Sequence, residues 1–261
     1  QDDMVIKFTD AVKAGEMNLR KEEIAARSAS IKPGDLMTLI YSSGTTGQPK
    51  GVMLSHSNLM FISTTFKRIE MLREGDLLLS LLPLAHSVER SMGYYGVVLA
   101  GGIIAYSRGT EFFPEDLAEI RPTLGVFVPR VFEKMYNGIF AKVATAPPGK
   151  QKIFAKAVAV GKEAGPYFMA NKKLPLVLGL KYKVFDKLVY ASLKKTMGFE
   201  RTRVFGSAGA PLLPEIHDFF WGLNMQIRKG YGLTETSPVL NVDGDPSIMP
   251  IKSDGWITPF P

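Results

Sequence analysis

A loop rich in glycine and hydroxyl side chains connects two apolar segments of the chain and reads Tyr41-Ser42-Ser43-Gly44-Thr45-Thr46-Gly47-Gln48-Pro49-Lys50-Gly51. Glycines let a backbone turn its N–H groups toward an anion, and small hydroxyl groups add donors without crowding. Lys50 brings a mobile positive charge to the end of the loop. The order of strand, loop, lysine and strand favours a phosphate-binding loop over the alternative interpretation, a flexible linker.

The loop differs from the P-loop of many nucleotide-binding proteins, which reads G-x-x-x-x-G-K-[ST]. Here the residue before Lys50 is Pro49 and the residue after it is Gly51, so both required neighbours are wrong. The sequence therefore predicts a phosphate-binding loop of another kind.

Apolar runs of strand length alternate with amphipathic runs of helix length on both sides of this loop. Strands are predicted over 36–41, 52–54, 77–82, 103–106, 124–128, 203–206 and 225–229. Helices are predicted over 59–70, 88–99, 114–120, 132–143, 153–171, 182–197 and 214–222, with a loop over 146–150. This alternation predicts an α/β fold with layered, mainly parallel sheets and flanking helices. His217, inside the last helix, is predicted to lie at the surface or its boundary.

The composition describes an ordinary globular chain of 261 residues, with 46% hydrophobic and 22% charged residues. There is no cysteine, which excludes disulfides, thiolate metal sites and cysteine nucleophiles and fits a reducing, cytoplasmic compartment. We see no signal peptide at the N-terminus. The longest uncharged run, 91–107, contains four glycines, and we expect a buried helix, a turn and a strand there, not a membrane span.

The net charge of +7 is concentrated in residues 171–203, which contain nine basic and two acidic side chains. Such a patch suits a phosphorylated cofactor, a polyanion or a peripheral contact with an acidic membrane, and the alternative is a solvated helical face. The segment has no nucleic-acid recognition motif and few interleaved aromatic residues, so we expect no nucleic-acid partner.

Three further motifs follow the loop. They read Leu82-Pro83-Leu84-Ala85-His86-Ser87-Val88-Glu89-Arg90, then Gly206-Ser207-Ala208-Gly209-Ala210-Pro211-Leu212, then Gly230-Tyr231-Gly232-Leu233-Thr234-Glu235-Thr236. Together with residues 41–56 they resemble, in order, the signatures of the adenylate-forming superfamily, which includes acyl-CoA synthetases, firefly luciferase and the adenylation domains of peptide synthetases. The run at 82–90 resembles the P-L-x-H-x-x-E-R sequence typical of long-chain fatty acyl-CoA synthetases. The resemblance covers nearly the whole chain.

The resemblance implies roles for the nucleotide-binding residues. The phosphates of ATP would lie against Ser42, Ser43, Gly44, Thr45, Thr46, Gly47 and Lys50, and the adenine against the backbone of Gly209, Ala210 and Pro211. Tyr231, followed by Gly232, would stack on the adenine, Thr234 would contact the α-phosphate and Glu235 would bind Mg²⁺. The chemistry agrees, because aromatic rings stack on bases and Mg²⁺ prefers carboxylate and phosphate oxygens. For Glu235 alone, the alternative is a surface carboxylate.

His86 lies beside the acyl pocket in the proteins that the chain resembles. There it would orient the carboxylate or gate the path between the acyl and thiol sites. The alternative is a histidine that only caps backbone groups at a strand end.

The reaction that the resemblance implies is attack of a fatty carboxylate on the α-phosphorus of ATP, followed by transfer of the acyl group to coenzyme A. In this reaction Lys50, Thr234, Glu235 and His86 would be the catalytic residues. A related enzyme for another acid or for a carrier-protein thiol, or a nucleotide-binding module without catalysis, stays an alternative.

The family's ribose-binding aspartate, its hinge and its catalytic lysine have no counterpart in these residues. The segment Asp254-Gly255-Trp256-Ile257-Thr258 is only superficially similar to the sequence that precedes that aspartate. We therefore expect residues 1–261 to be the central part of the large N-terminal AMP-binding domain, truncated at both ends, without the C-terminal lid domain and inactive alone.

Overall fold

An antiparallel hairpin opens the part of the fold that carries the motifs. The structure, a computed structural model, describes residues 5–42 and 48–243 and the backbone of 258–259. Helices α1 (Phe8–Met17) and α2 (Lys21–Ser30), which the sequence patterns did not predict, bury none of their side chains. Strands β1 (Leu36–Ser42) and β2 (Lys50–Ser55) then pair with each other as a separate sheet.

Helix α3 (His56–Arg68) follows β2 directly because the sequence supplies its N-terminal cap. The Ser55 hydroxyl accepts a hydrogen bond from the backbone N–H of Asn58 (3.3 Å), and the Asn58 side chain accepts one from the backbone N–H of Ser55 (2.9 Å). This reciprocal arrangement satisfies two backbone donors that the first turn of a helix leaves unpaired.

The main sheet confirms the predicted α/β class. Strands β3 (Leu77–Ser80), β4 (Ile103–Tyr106), β5 (Leu124–Phe127), β6 (Val204–Ser207) and β7 (Ile227–Tyr231) run parallel in the order β4-β3-β5-β6-β7. Two short strands, β8 (Asn241–Val242) and β9 (Thr258–Pro259), extend the β7 side in antiparallel pairing.

The connecting segments are helical, and several bounds differ from those predicted. The helices are α4 (Val97–Ala100), α5 (Phe113–Ile120), α6 (Pro129–Ala144), α7 (Pro148–Met169), α8 (Leu176–Phe185), α9 (Ala191–Thr196) and α10 (Pro214–Gly222). The segments Glu89–Gly96 and Asp186–Tyr190 are wound as π-helix. The loop predicted over 146–150 is wrong in its second half, because a proline at the first helical position needs no backbone N–H and α7 begins at Pro148.

Alternate residues of each central strand pack on opposite sides of the sheet, as strand geometry requires. Leu78, Val126 and Val204 pack toward α3 and the π-helical segment, in a cluster that includes Ile62 and Met92. The other side holds Phe127 and Phe205, whose ring centroids are 5.5 Å apart, together with aromatic residues of α6 and α10. The sheet is therefore buried on both faces between two helical layers.

His217 contradicts its predicted surface position. Its side chain is 0% exposed. Its Nε2 atom accepts a hydrogen bond from Nε1 of Trp221 (3.1 Å). Burial lowers the pKa of His217 to about 4, so the ring is neutral near pH 7.

Two glycines allow the close crossing of α7 and α10. A Cβ atom added to Gly222 would lie 2.8 Å from the carbonyl carbon of Gly161 and 2.9 Å from its oxygen. The carbonyl of Gly222 also accepts a hydrogen bond from the Tyr182 hydroxyl (3.1 Å), which connects α8 to the same crossing. A side chain at this point would separate the helices.

We expect Gly222→Ala to destabilise the chain by about 1–3 kcal/mol, because the new methyl group collides with backbone that cannot move independently. Gly138→Ala is the matched control, since the added Cβ meets nothing within 4 Å inside α6. This control should be neutral or stabilising by up to about 1 kcal/mol through helix propensity. Urea unfolding of both variants measures the difference, and equal effects would contradict the crossing described.

Candidate functional site

The candidate site residues collect at the edge of the main sheet where its parallel strands end. The segment that carries His86 follows β3, the segment that carries Gly209 follows β6, and Tyr231 ends β7. Strands β6 and β7 are neighbours, and β5 separates β6 from β3. This edge is where ligands of open α/β sheets generally bind.

The two ends of the predicted phosphate loop lie opposite each other across the hairpin. Ser42 pairs with Lys50 in the last register position, and Tyr41 pairs with Gly51. The Lys50 side chain is exposed. Five of the predicted phosphate ligands, Ser43, Gly44, Thr45, Thr46 and Gly47, lie outside the described residues. The structure thus shows the two residues between which the loop begins and ends, Ser42 and Lys50.

The hairpin reaches the third motif. Strand β2, which begins with Lys50, packs against the 3₁₀ turn Thr234–Thr236. The structure therefore brings strand β2 to the turn that contains Thr234 and Glu235, although the two elements are far apart in sequence.

The turn after β6 has the backbone shape that the small residues predict. Gly209 has a φ angle of +91°, a conformation that side-chain-bearing residues rarely adopt. A Cβ added to Gly230 would lie 3.8 Å from the Cβ of Ala208, so the turn runs beside the end of β7. Ala210 and Pro211 are exposed at this edge.

Position 232 requires a glycine, because the backbone just after β7 passes very close to the backbone of a later residue. A Cβ at this position would lie 1.9 Å from the carbonyl oxygen of Pro238. The neighbouring Tyr231 leaves its ring 56% exposed, while its carbonyl accepts a hydrogen bond from the backbone N–H of Leu240 (2.9 Å). The Tyr231 ring is thus available for stacking on a ligand, and the hydrogen bond from Leu240 fixes the backbone that carries the ring.

Glu235 is an exposed carboxylate on the turn Thr234–Thr236. Within the described ranges it makes no ion pair, and no group of three or more metal-ligating side chains occurs in them. A cation at this position would therefore take further ligands from a substrate or from water.

The geometry of His86 shows backbone capping, which was the alternative interpretation. Its Nδ1 atom accepts a hydrogen bond from the backbone N–H of Val88 (3.3 Å). Burial lowers the pKa of His86, so the ring is neutral at neutral pH. Its Nε2 atom makes no hydrogen bond to the described residues, so the ring can still contact a substrate, and that role stays a prediction.

Arg90 of the same motif attaches the edge of the main sheet to the hairpin. Its Nη1 atom donates to the Thr38 hydroxyl of β1 (2.6 Å), and its Nε atom donates to the carbonyl of Leu84 (2.9 Å). The motif singled out Arg90 in the sequence, but nothing in the sequence pattern predicted that its partner would be Thr38 of β1.

Glu89 is a second residue whose environment the sequence did not reveal. Its side chain is buried, and its Oε1 atom has no hydrogen-bond partner within the described part of the chain. A Cβ added to Gly93 would lie 2.6 Å from that oxygen, so the π-helical segment holds the carboxyl group in the space above a glycine. Burial raises the pKa of Glu89 to about 7, against the opposing effect of a hydrogen bond from Ser80.

The described part of the chain contains no helix that is both long and apolar enough to cross a membrane. The edge instead combines a hydroxyl- and lysine-bearing hairpin, a glycine turn and an exposed tyrosine beside a carboxylate. They lie at the edge where open α/β sheets generally bind ligands. The chain belongs to the family of AMP-binding enzymes, whose model matches residues 2–260.

Two curated relatives show which members of the family the chain is similar to. It is 37% identical over 222 residues to long chain acyl-CoA synthetase 7, peroxisomal, of Arabidopsis thaliana, covering 82% of this chain and 29% of that protein. It is 38% identical over 225 residues to the long-chain-fatty-acid–CoA ligase FadD15 of Mycobacterium bovis, covering 82% of this chain and 35% of that protein. The chain thus spans about a third of the length of these relatives.

Solved structures share the fold at lower identity. Apo MatB from Rhodopseudomonas palustris matches 88% of this chain with 34% of its own, at 19% identity and a TM-score of 0.58. A benzoate CoA ligase from Burkholderia xenovorans matches 89% of this chain with 36% of its own, at 20% identity and a TM-score of 0.57.

The raised pKa of Glu89 predicts how stability depends on pH. The folded state holds a proton that the unfolded state releases between about pH 4.5 and 7, so the buried carboxyl group should destabilise the fold increasingly over this range. The resulting decrease in the free energy of unfolding should be at most about 3 kcal/mol, since one pKa unit corresponds to about 1.36 kcal/mol. Glu89→Gln should therefore stabilise the chain at pH 8 and change little at pH 4.5.

Urea unfolding at the two pH values measures this effect. Glu111→Gln, which alters an exposed carboxylate, is the control and should show no such difference. A Glu89→Gln variant with the same pH dependence as the unmodified chain would contradict a neutral buried carboxyl group.

Proposed function

We propose that this chain forms the nucleotide- and acyl-handling part of an ATP-dependent long-chain fatty acid–CoA ligase. The observation that carries the proposal is the packing of β2, with Lys50, against the turn that contains Glu235. The names of the two curated relatives support a fatty acid as the substrate and coenzyme A as the acceptor. Because the chain spans about a third of those relatives, we assign it to the central part of the AMP-binding domain, and turnover requires further residues.

ATP fits the sheet edge with its base on the β6–β7 side and its phosphates at the hairpin. The exposed Tyr231 ring offers a stacking surface, and the turn at Gly209, Ala210 and Pro211 lets a flat base approach the backbone. Lys50 would offset the negative charge of the pyrophosphate, and the loop hydroxyls, beginning with Ser42, would donate hydrogen bonds to it. Thr234, on the turn between these two regions, would donate to the α-phosphate.

Mg²⁺ fits Glu235 because this ion commonly binds proteins through one or two carboxylates and takes its other ligands from phosphates and water. The exposed carboxylate on the turn that packs against β2 suits that arrangement. When bound there, the ion would offset negative charge on the phosphates.

The proposed reaction proceeds in two steps. A fatty carboxylate oxygen attacks the α-phosphorus, the bond to pyrophosphate breaks, and an acyl-adenylate forms. The sulfur of coenzyme A then attacks the acyl carbon, and AMP leaves as the thioester forms. Lys50 would stabilise the charge of the leaving pyrophosphate, and a neutral His86 would orient the acyl carboxylate through Nε2.

We expect calorimetry of ATP binding to separate the roles of Tyr231 and Glu235. Tyr231→Ala should weaken binding at least about tenfold both with Mg²⁺ and with EDTA, because loss of base stacking is independent of the metal. Glu235→Ala should weaken binding with Mg²⁺ and leave binding in EDTA nearly unchanged. Glu163→Ala, an exposed carboxylate on α7, is the control.

A folded Glu235→Ala variant with an undiminished Mg²⁺ effect would remove the metal role from Glu235. A Tyr231→Ala variant that binds ATP like the unmodified chain would place the base elsewhere.

The acyl substrate is tested by pyrophosphate exchange with the complete enzyme across a series of acids. We expect exchange to be fastest with long-chain fatty acids. A sharp preference for an amino acid or an aromatic acid would favour the related activity on another carboxylate, and ATP binding without exchange for any acid would favour a non-catalytic module.

A further inference from the structure

Helix α8 and the π-helical turn after it carry a row of exposed aliphatic side chains. Leu176 is 80% exposed, Val177 65%, Leu180 59%, Val184 55% and Leu188 61%. An α-helix advances by about 100° per residue, so these positions fall on one side of the helix. The row is continuous along the whole element and does not consist of scattered single residues.

The opposite side of α8 is firmly packed, which fixes the direction that the row faces. Tyr182 is buried and donates its hydroxyl to the carbonyl of Gly222 (3.1 Å). Leu178 and Phe185 pack against the aromatic core on the same inner side. The helix is therefore anchored on its inner side, and its outer apolar side is exposed in the described part of the chain.

Five exposed lysines lie on α8, on the π-helical turn after it or in the segment just before it: Lys172, Lys173, Lys181, Lys183 and Lys187. None of them forms an ion pair with the described residues. Asp186, the acidic residue of the π-helical turn, is paired with Lys194 (3.8 Å). We call the five aliphatic side chains and these five lysines the α8 surface.

Not every basic residue of the segment 171–203 belongs to the α8 surface. Arg203 precedes β6 and is engaged elsewhere, because its Nη2 atom contacts Oδ2 of Asp76 (2.5 Å) and its Nη1 atom donates to the carbonyl of Glu70 (2.8 Å). It does not contribute to a solvated patch.

We propose that the α8 surface docks the protein onto an anionic lipid bilayer, with the aliphatic row at the boundary between headgroups and acyl chains. An apolar helical side bordered by lysines is the pattern of helices that lie in a membrane interface. The lysines match lipid phosphates and carboxylates, whereas two copies of this surface would bring like charges together. The inference rests on the proposed function in one respect, since a long-chain fatty acid resides in membranes.

Sedimentation with lipid vesicles tests the proposal. Vesicles of phosphatidylcholine containing about a third phosphatidylserine should bind the chain at least tenfold more tightly than pure phosphatidylcholine. The double variant Leu176→Gln/Leu180→Gln should lose at least tenfold in binding. Lys181→Gln/Lys183→Gln/Lys187→Gln should lose both the preference for phosphatidylserine and most of the salt dependence.

Val98→Gln is the matched control, because Val98 is also 61% exposed but lies on α4. It should bind vesicles like the unmodified chain. Insertion is read independently from Leu180→Trp, whose fluorescence should be quenched by brominated lipid when anionic vesicles are present.

Several outcomes would overturn the proposal. One is that the folded chain does not bind anionic vesicles. Another is that Val98→Gln loses as much vesicle binding as the leucine double variant. A third is that brominated lipid does not quench the fluorescence of Leu180→Trp. Light scattering that shows a dimer which the leucine double variant dissolves would assign the row to a second copy of the chain. Vesicle binding is measured without ATP or fatty acid, so its failure is distinguishable from failure of ATP binding or pyrophosphate exchange.

Discussion

The common direction of the five central strands is the constraint on which the site depends. Parallel strands end at one edge, so the segments that follow β3, β6 and β7 meet there regardless of their distance in sequence. The aromatic core on one face and the aliphatic cluster on the other hold the strands in this order. Tyr231 and Gly209 are close because β6 and β7 are neighbours.

The hairpin belongs to a different sheet, and side-chain contacts hold it at this edge. Arg90 reaches from the segment after β3 to Thr38 of β1, and β2 packs against the turn that contains Glu235. The arginine of the P-L-x-H-x-x-E-R run therefore attaches strand β1 of the hairpin to the segment after β3, while the side chain of its neighbour Glu89 is buried. Arg90 thus contributes to the site chiefly by holding the hairpin in place at the sheet edge.

The sequence predicted the fold class because hydrophobic periodicity reports local burial, which decides strands and helices directly. It did not predict that α7 begins at Pro148, since a proline cluster indicates a loop and a helix start equally well. It placed His217 at the surface because periodicity within α10 cannot show that other elements bury this side of the helix. The motif residues were visible as residue types, but the contact between β2 and the turn at Glu235 depends on tertiary packing alone.

The pairing of Ser42 with Lys50 has a thermodynamic consequence for any ligand of the intervening loop. Closing a chain segment into a ring costs conformational entropy, and here the antiparallel ladder meets that cost when the protein folds. A ligand that binds between these two residues finds them already at a fixed separation. Preorganisation of this kind lets more of the interaction energy appear as affinity.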